Sequence, residues 1–417
     1  MRVAFYAPMK SPNHPVPSGD RLMARLLIRA LELAGHEVDI VSEFRAYAAT
    51  PEAAAELEPA IRAELQRLRE KWTSGPRPEL WFCYHPYYKS PDPFGPVISA
   101  EFAIPYVTAE ASYAAKRDRT GWAAQQKRVG EAIMQAAVNI SFTDRDRAGL
   151  SAAFPQARLA GLKPFIDTTL FEGLSPTPDP RRLMTVAMMR AGDKMQSYAM
   201  LAKALRLIED RPWTLAVIGD GPMRHEVQAL FAGFPTGRIE WLGERDGAEI
   251  AGLLGGGGLY VWPGCGEAYG LAYLEAQAAG LPVVAQATAG VPAVVEAEVT
   301  GLLTPDGDVA AYAGAVAALL DDRARREAMG QAARRFVLDE RSLPMAAARL
   351  DGILRDYAAT GAMRSPMGRA GSRCTASSTA GRPPAARRGS GCATTMPSSR
   401  RLIWRRCWRW RVKARFR

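Results

Sequence analysis

The sequence predicts an α/β protein with two doubly wound parallel sheets, one in each half of the chain. Apolar stretches of strand length alternate with amphipathic helical stretches over residues 2–41, and the same alternation restarts at residue 183. This pattern is typical of parallel sheets whose strands are joined by crossover helices. A proline-rich segment at 176–180 separates the two halves, and 417 residues suffice for two full cores. We therefore expect domains at 1–173 and 181–340, followed by a helix within 341–361.

In the first half, Ser18, Gly19 and Asp20 open an amphipathic helix that ends at Gly35, and residues 52–69 are predicted to form one charged helix over the sheet. The predicted strands are 2–7, 37–41, 80–84, 105–108 and 139–142. The junction at Gly19 places unpaired backbone N–H groups at the carboxyl edge of this sheet.

In the second half, the predicted strands are 183–188, 215–218, 239–242, 259–262 and 283–285. The predicted helices are 194–207, 223–231, 248–254, 309–320, 323–336 and 342–357. Loops at the carboxyl ends of these strands carry Arg190, Lys194, Gly219 and the glycine-rich segment 264–270. Such loops are where open α/β sheets bind ligands.

The segment 264–280 is the clearest candidate site. Pro263 closes a strand, a glycine-rich turn follows, and a helix then runs to a stop at Gly280. We expect free N–H groups at the helix N-terminus, a favourable seat for a diphosphate. Those N–H groups belong to Ala268, Tyr269, Gly270 and Leu271.

Two glutamates flank this seat. Glu267 lies in the turn and can accept hydrogen bonds from hydroxyls next to the phosphates. Glu275 lies roughly 6 Å farther along the helix axis than Leu271, where its carboxylate suits the two hydroxyls of a ribose. The alternative is that both are solvated glutamates on an amphipathic helix.

Arg190 and Lys194 follow the first strand of the second half. Two cations facing the helix N-terminus at Gly270 would hold a leaving diphosphate and neutralise its growing charge. The alternative is a basic turn in solvent.

Together, Glu267 and Glu275 at their spacing, Arg190 with Lys194, and Gly219-Asp-Gly-Pro222 resemble the donor site of retaining GT-B glycosyltransferases of the family 4 type. The resemblance extends to about residue 361 and is strongest over 183–303. It implies a donor nucleotide on the second Rossmann-like domain, an acceptor mainly on the first, and a final helix that crosses back to the first. It also implies that Glu267 orients the sugar, that Gly19 approaches the diphosphate or the acceptor, and that transfer retains the anomeric configuration.

The first half departs from the family pattern. A histidine usually follows the second of its central strands and faces the transferred sugar, and here that position falls on Ala111. We expect Glu110 or His85 to fill the space, and Lys116 to contact an acidic acceptor. A histidine at a strand end is alternatively structural.

The predicted function is therefore a glycosyltransferase that uses a nucleotide sugar as substrate and needs no cofactor. We expect no essential metal, on the premise that no Asp-x-Asp pair lies at a strand end. A saccharide, a lipid-linked acceptor and a small molecule all remain open. The alternatives are an epimerase or hydrolase of the same fold, and a non-catalytic protein that binds nucleotide sugars.

The charge of the chain is concentrated in its tail. Net charge is +11, but residues 363–417 contain 14 arginines, one lysine and no acid, so the remainder, with 39 basic and 43 acidic residues, carries −4. This distribution argues against a nucleic-acid partner. We expect the tail to be disordered, and either an out-of-frame product or an anchor to an anionic surface.

The five cysteines have no metal-ligand spacing, and no apolar run is long enough for a membrane span. We expect a cytoplasmic protein, with peripheral contact at the inner face of the membrane as an alternative.

Overall fold

The computed structural model describes residues 1–16 and 18–361, which form two α/β domains. The predicted basic tail, 363–417, lies outside the described residues. Each domain is built on a parallel sheet with helices packed against it, so the predicted fold class is confirmed.

Six strands form the sheet of the first domain within the described residues, in the order β2-β1-β3-β4-β5-β6. They are β1 (Arg2–Tyr6), β2 (Glu37–Ile40), β3 (Leu80–Tyr84), β4 (Tyr106–Ala109), β5 (Val138–Ser141) and β6 (Leu159–Gly161). The helices are α1 (Gly19–Leu33), α2 (Pro51–Glu56), α3 (Glu58–Ser74), α4 (Gly95–Phe102), α5 (Ala123–Gln135), α6 (Asp144–Ala153) and α7 (Thr169–Glu172).

The second domain repeats this arrangement, with the strand order β12-β11-β10-β7-β8-β9. Its strands are β7 (Arg182–Val186), β8 (Thr214–Ile218), β9 (Ile239–Gly243), β10 (Leu259–Val261), β11 (Val283–Gln286) and β12 (Gly301–Thr304). The helices are α8 (Asp193–Arg206), α9 (Arg224–Phe231), α10 (Gly247–Gly255), α11 (Leu271–Ala278), α12 (Val309–Asp321), α13 (Arg323–Glu340) and α14 (Leu343–Gly361).

The structure differs from the sequence predictions in one helix and at one edge of each sheet. The helix expected over 52–69 is two helices, because Pro59 has no N–H and its ring clashes with a preceding helical turn. The edge strands β6 and β12 were not predicted. β6 has only three residues, and β12 begins at Gly301, so neither gives a clear period-two pattern.

Helix α14 returns from the second domain and packs against α1 of the first. Arg349 on α14 donates to the carbonyl of Gly161 at 3.3 Å, and Asp351 lies 3.2 Å from the imidazole of His36. These contacts attach the end of the described chain to the first sheet.

On the opposite face of the first sheet, aromatic residues form a separate core. Trp72 and Trp81 meet edge to face with ring centroids 6.0 Å apart, and both are buried. The indole N–H of Trp81 donates to buried Asp92 at 2.9 Å, which satisfies the polar atom of a ring that would otherwise be costly to bury. This core holds β1, β3 and β4 rigidly, so the loops at their carboxyl ends have a fixed base.

Among the described residues, no helix combines the length and the apolar character needed to cross a lipid bilayer.

Candidate donor and acceptor cleft

A cleft of about 1240 Å³ lies between the two sheets. Its walls come from the carboxyl ends of strands in both domains, and they include His85 and Glu110 on one side and Arg190, Glu267 and Glu275 on the other. Twelve of the thirteen predicted site residues line this cleft: Gly19, His85, Glu110, Arg190, Lys194, Gly219, Glu267, Ala268, Tyr269, Gly270, Leu271 and Glu275.

The predicted phosphate seat is formed by the turn before α11. Gly270 is the N-cap residue, with φ 76°, a left-handed conformation that favours glycine. Within the described chain, the N–H groups of residues 268–271 donate no hydrogen bond. The turn is held from behind, since the N–H of Cys265 donates to Ser197 Oγ on α8 at 2.9 Å. The seat is therefore a fixed set of free donors at a helix N-terminus.

The two predicted cations stand in different surroundings. Arg190 is exposed at the cleft and forms no ion pair or hydrogen bond with the described residues. Lys194 instead forms an ion pair with Glu267, and its ammonium lies 5.4 Å from the centroid of the Trp262 ring. The sequence did not predict this pairing, which leaves Arg190 as the unpaired cation of the two.

Glu267 is oriented by two donors on one oxygen. Its Oε1 receives the Lys194 ammonium and also the indole N–H of Trp262 at 3.2 Å. The second oxygen, Oε2, accepts no hydrogen bond from the described chain. Glu267 thus presents one free carboxylate oxygen to the cleft, in a fixed direction.

Glu275 lies one turn into α11 and lines the cleft. It is half-buried, and burial raises the pKa of its carboxyl group. No described residue donates a hydrogen bond to it. A ligand with hydroxyl donors would relieve this desolvation.

The loop that carries Gly219 shapes the floor of the cleft. Gly219 has φ 140°, and a Cβ added there would lie 2.0 Å from the carbonyl oxygen of Ala187. The backbone carbonyl of Asp220 accepts from the N–H of Met189 at 2.9 Å, so this loop lies directly on the segment that leads from β7 to Arg190. Gly19, in contrast, has open space around its Cβ position, and Ser18 caps the helix that it begins.

The wall of the first domain is acidic and its groups are paired with one another. His85 and Glu110 each follow a strand directly and adopt left-handed backbone conformations, with φ 59° and 55°. His85 Nδ1 lies 2.9 Å from Asp20 Oδ1. Burial alone would lower the pKa of His85, but the hydrogen bond to Asp20 and the nearby Glu110 carboxylate raise it above its usual value.

Glu110 is the most perturbed acid of this wall. Its Oε2 accepts from Tyr84 at 3.3 Å and from Tyr269 of the second domain at 3.4 Å. Burial raises its pKa to about 7, His85 opposes this rise, and the carboxylates of Asp20 and Asp146 add to it.

Lys116 is the predicted site residue that does not reach the cleft. It lies on an exposed 3-10 turn, Ala115–Arg117, away from the cleft walls. Ala111, at the position of the family histidine, is buried with Glu110 and Ser112 on either side of it. A contact between Lys116 and an acidic acceptor stays a prediction.

The premise behind the predicted absence of a metal was wrong. Asp144 and Asp146 form an Asp-x-Asp pair directly after β5, and Asp146 lines the cleft. Their carboxylates diverge, however: Asp144 pairs with Lys163 at 2.7 Å, whereas Asp146 accepts from Thr143 at 2.6 Å. Among the described residues, no group of three or more histidine, cysteine or acidic side chains is arranged to hold a metal ion.

Sequence reasoning missed several residues that shape the cleft, notably Asp20, Asp146, Trp262 and Arg245. Asp146, Trp262 and Arg245 lie within five residues of a strand end, which is the signal that could have identified them. Asp20 lies in the first turn of α1, next to the predicted Gly19.

Part of the second domain matches a known protein family. Residues 180–322 match the protein family described as Glycosyl transferases group 1. This region contains β7 to β12 and all the predicted donor-side residues except Gly19.

Particular relatives agree with that match. The chain is similar to the sulfoquinovosyl transferase of Arabidopsis thaliana, with 33% identity over 37% of this chain and 30% of that protein. The chain spans about a third of the length of the first curated relatives it matches.

Solved structures extend the likeness to both domains. Sucrose-phosphate synthase from Thermosynechococcus elongatus is similar with a TM-score of 0.66 and 17% identity, over 86% of this chain and 99% of that one. The Anabaena protein HepE, solved in complex with UDP, is similar with a TM-score of 0.62 and 14% identity, over 85% and 100%. The two-domain architecture is thus the GT-B fold.

Proposed function

We propose that this protein is a retaining glycosyltransferase that moves a sugar from a nucleoside-diphosphate donor to an acceptor, with no resident cofactor. The main observation behind this proposal is that the free N–H groups of residues 268–271 and the unpaired guanidinium of Arg190 line the same cleft. Partial positive charge at a helix N-terminus and a full charge opposite it suit a diphosphate. The family match over 180–322 and the UDP bound by HepE support the same ligand class.

The donor half would act mainly by electrostatics and positioning. As the glycosidic bond breaks, negative charge moves onto the leaving diphosphate, and preorganised donors at the seat lower the energy of that state. Arg190 would take the larger share, because Lys194 already interacts with Glu267. Glu275 would hold the ribose hydroxyls, which gives its desolvated carboxylate hydrogen-bond donors.

Glu267 would orient the sugar through its free oxygen. Because Lys194 and Trp262 both hold Oε1, the other oxygen has little freedom to rotate away. A positioned acceptor of this kind brings the anomeric carbon to the attacking hydroxyl at small entropic cost. The leaving phosphate would receive the proton of the acceptor hydroxyl, which requires attack from the same face and hence retention.

The wall of the first domain would receive the acceptor. Its hydrogen-bond acceptors, Asp20, Glu110 and Asp146, are paired only with neighbours from the protein, and they face the cleft opposite Arg190. Carboxylates suit hydroxyl groups, so this wall favours a polyhydroxylated acceptor.

The proposal is tested by measuring the melting temperature of the protein with a panel of nucleotide sugars and then assaying transfer and donor hydrolysis with the donor that binds. A ligand bound to the native state raises apparent stability. We expect stabilisation by at least one nucleotide sugar, and Glu267→Gln should keep that stabilisation but reduce transfer by about 100-fold. Glu327→Gln, on the exposed surface of α13, is the matched control and should leave both unchanged.

Two results would contradict the proposal. Unchanged turnover in Glu267→Gln would remove the basis for the site. Release of free sugar at the same rate with and without every acceptor tested would favour a hydrolase.

A further inference from the structure

Tyr269 connects the seat in the second domain to the first domain. Its N–H group belongs to the seat, but its side chain is only 8% exposed and packs against Phe142, with ring centroids 6.0 Å apart. Its hydroxyl lies 3.4 Å from Glu110 Oε2. Phe142 follows β5 and Glu110 follows β4, so both partners belong to the first sheet.

The carboxylate that receives this hydroxyl is rigidly placed. The N–H of Glu110 donates to the carbonyl of Ile140 at 2.8 Å, which holds its left-handed backbone against the neighbouring strand. Tyr84, in the first domain, donates to the same Oε2 at 3.3 Å and stacks on Phe142 with ring centroids 6.4 Å apart. One oxygen therefore receives two tyrosines, one from each domain.

We infer that Glu110 and Tyr269 are positioning residues: their contact across the cleft sets the position of the amide groups that receive the donor diphosphate. The inference rests on the proposed function, because it assigns a purpose to the seat of the donor. Its physical basis is that the backbone of Tyr269 belongs to the seat while its side chain is held by the first domain. If the hydroxyl loses Glu110, the backbone at 268–271 gains freedom, and bound phosphate must then order it.

The contact should depend on pH. Groups facing the Glu110 carboxyl are Tyr84 and His85 from the end of β3, Asp20 from α1, Asp146 from α6 and Tyr269 from the seat. Burial raises the pKa of Glu110 to about 7, and a hydrogen bond to an ionised carboxylate is stronger than one to a neutral acid. The contact is therefore stronger above pH 7 than below it.

The test compares Tyr269→Phe with Tyr84→Phe. Each variant removes one hydroxyl from the same carboxylate oxygen, but only Tyr269 belongs to the second domain and carries an N–H group of the seat. The Tyr84 hydroxyl also interacts with that of Tyr269, so Tyr84→Phe removes two contacts without changing the seat residue itself. Calorimetric titration with UDP and with GDP, at pH 6 and pH 8, measures nucleotide affinity. We expect Tyr269→Phe to weaken binding about fivefold at pH 8 and less than about twofold at pH 6, whereas Tyr84→Phe changes it less than about twofold at both.

Two further measurements separate positioning from general loss of structure. With the matching nucleotide sugar, Tyr269→Phe should raise the KM for the donor more than it lowers kcat. Glu110→Gln alone should retain the fold, bind the nucleotide more weakly than the unmodified protein at pH 8, and bind it about equally at pH 6. It therefore keeps the inference testable if Tyr269→Phe does not fold.

Equal effects of the two phenylalanine variants at pH 8 would overturn the inference while leaving the proposed function intact. If the unmodified protein binds no nucleoside diphosphate from the nucleotide-sugar panel, the proposed function fails and this inference fails with it.

Discussion

The two walls of the cleft differ in how their polar groups are satisfied. On the wall of the second domain, Arg190 and the N–H groups of residues 268–271 have no partner in the described chain. On the wall of the first domain, His85 pairs with Asp20, and Glu110 accepts from Tyr84 and Tyr269. One wall thus has free donors ready for an anion, whereas the other is an acidic network already hydrogen-bonded within the protein.

This difference indicates where binding energy is available. Donors without a protein partner exchange only water for a diphosphate, but a satisfied network must break contacts within the protein when an acceptor hydroxyl enters. We therefore expect substitutions on the second wall to have large effects on the donor reaction. Substitutions on the first wall should act more weakly and should depend on pH.

The largest expected effect is that of Arg190→Ala. Removing the uncompensated cation beside the seat should lower kcat by about 100-fold or more, because charge on the leaving group is then less well stabilised. Steady-state kinetics with the stabilising nucleotide sugar measures this. Arg323→Ala, on the exposed surface of α13, removes the same type of side chain far from the cleft and should leave kcat unchanged. A loss below about threefold in Arg190→Ala would show that the two walls do not differ as proposed.

A large effect on stability is expected for Gly219→Ala. The φ of 140° is unfavourable for alanine, and the new Cβ would lie 2.0 Å from the carbonyl oxygen of Ala187. We expect a loss of roughly 3 kcal/mol in the free energy of unfolding, measured by urea denaturation. Gly314→Ala, within α12 and with open space around its Cβ, should be neutral or stabilising by up to about 1 kcal/mol. Equal stability of the two variants would contradict the close packing of the Gly219 loop.

A smaller, pH-dependent effect is expected for Glu110→Gln. The folded pKa of about 7 lies above the usual 4.5, so the folded state favours the neutral acid. Ionised Glu110 therefore lowers the free energy of unfolding. This loss is absent below about pH 4.5, grows between about pH 4.5 and pH 7, and is complete above about pH 7. Glu110→Gln should thus gain on the order of 1–3 kcal/mol relative to the unmodified protein between pH 5 and pH 8.

Melting curves across this pH range measure that gain. Glu327 is an exposed residue on α13 that pairs with Arg323. The melting temperature of Glu327→Gln should differ from that of the unmodified protein by the same amount across this pH range. A gain for Glu110→Gln that is the same at pH 5 and pH 8 would contradict the raised pKa.

The sequence predicted the second wall better than the first, for a physical reason. A phosphate seat depends on backbone geometry, and the glycines at 264, 266 and 270, which adopt positive φ, mark that geometry locally. Arg190 and Lys194 were likewise found from their place at a strand end. The pairing of Lys194 with Glu267 was not, because these residues are 73 positions apart and meet only through the sheet order.

On the first wall, the important contacts join residues that are distant in sequence. Glu110 and Tyr269 are 159 positions apart, and Asp20 and His85 are 65 apart. No local pattern reports such contacts, so His85 and Glu110 could be named as candidates while their partners could not. Lys116 was predicted from its charge alone, which fitted an acidic acceptor, and the short turn that carries it does not line the cleft.

The central proposal is that a diphosphate binds between Arg190 and the N–H groups of residues 268–271. A crystal structure of the protein with the nucleoside diphosphate that stabilises it tests this most directly. We expect phosphate oxygens within about 3.2 Å of at least two of these N–H groups and of the Arg190 guanidinium, with the ribose against Glu275. Phosphates bound elsewhere in the cleft, with these donors still free, would contradict the account.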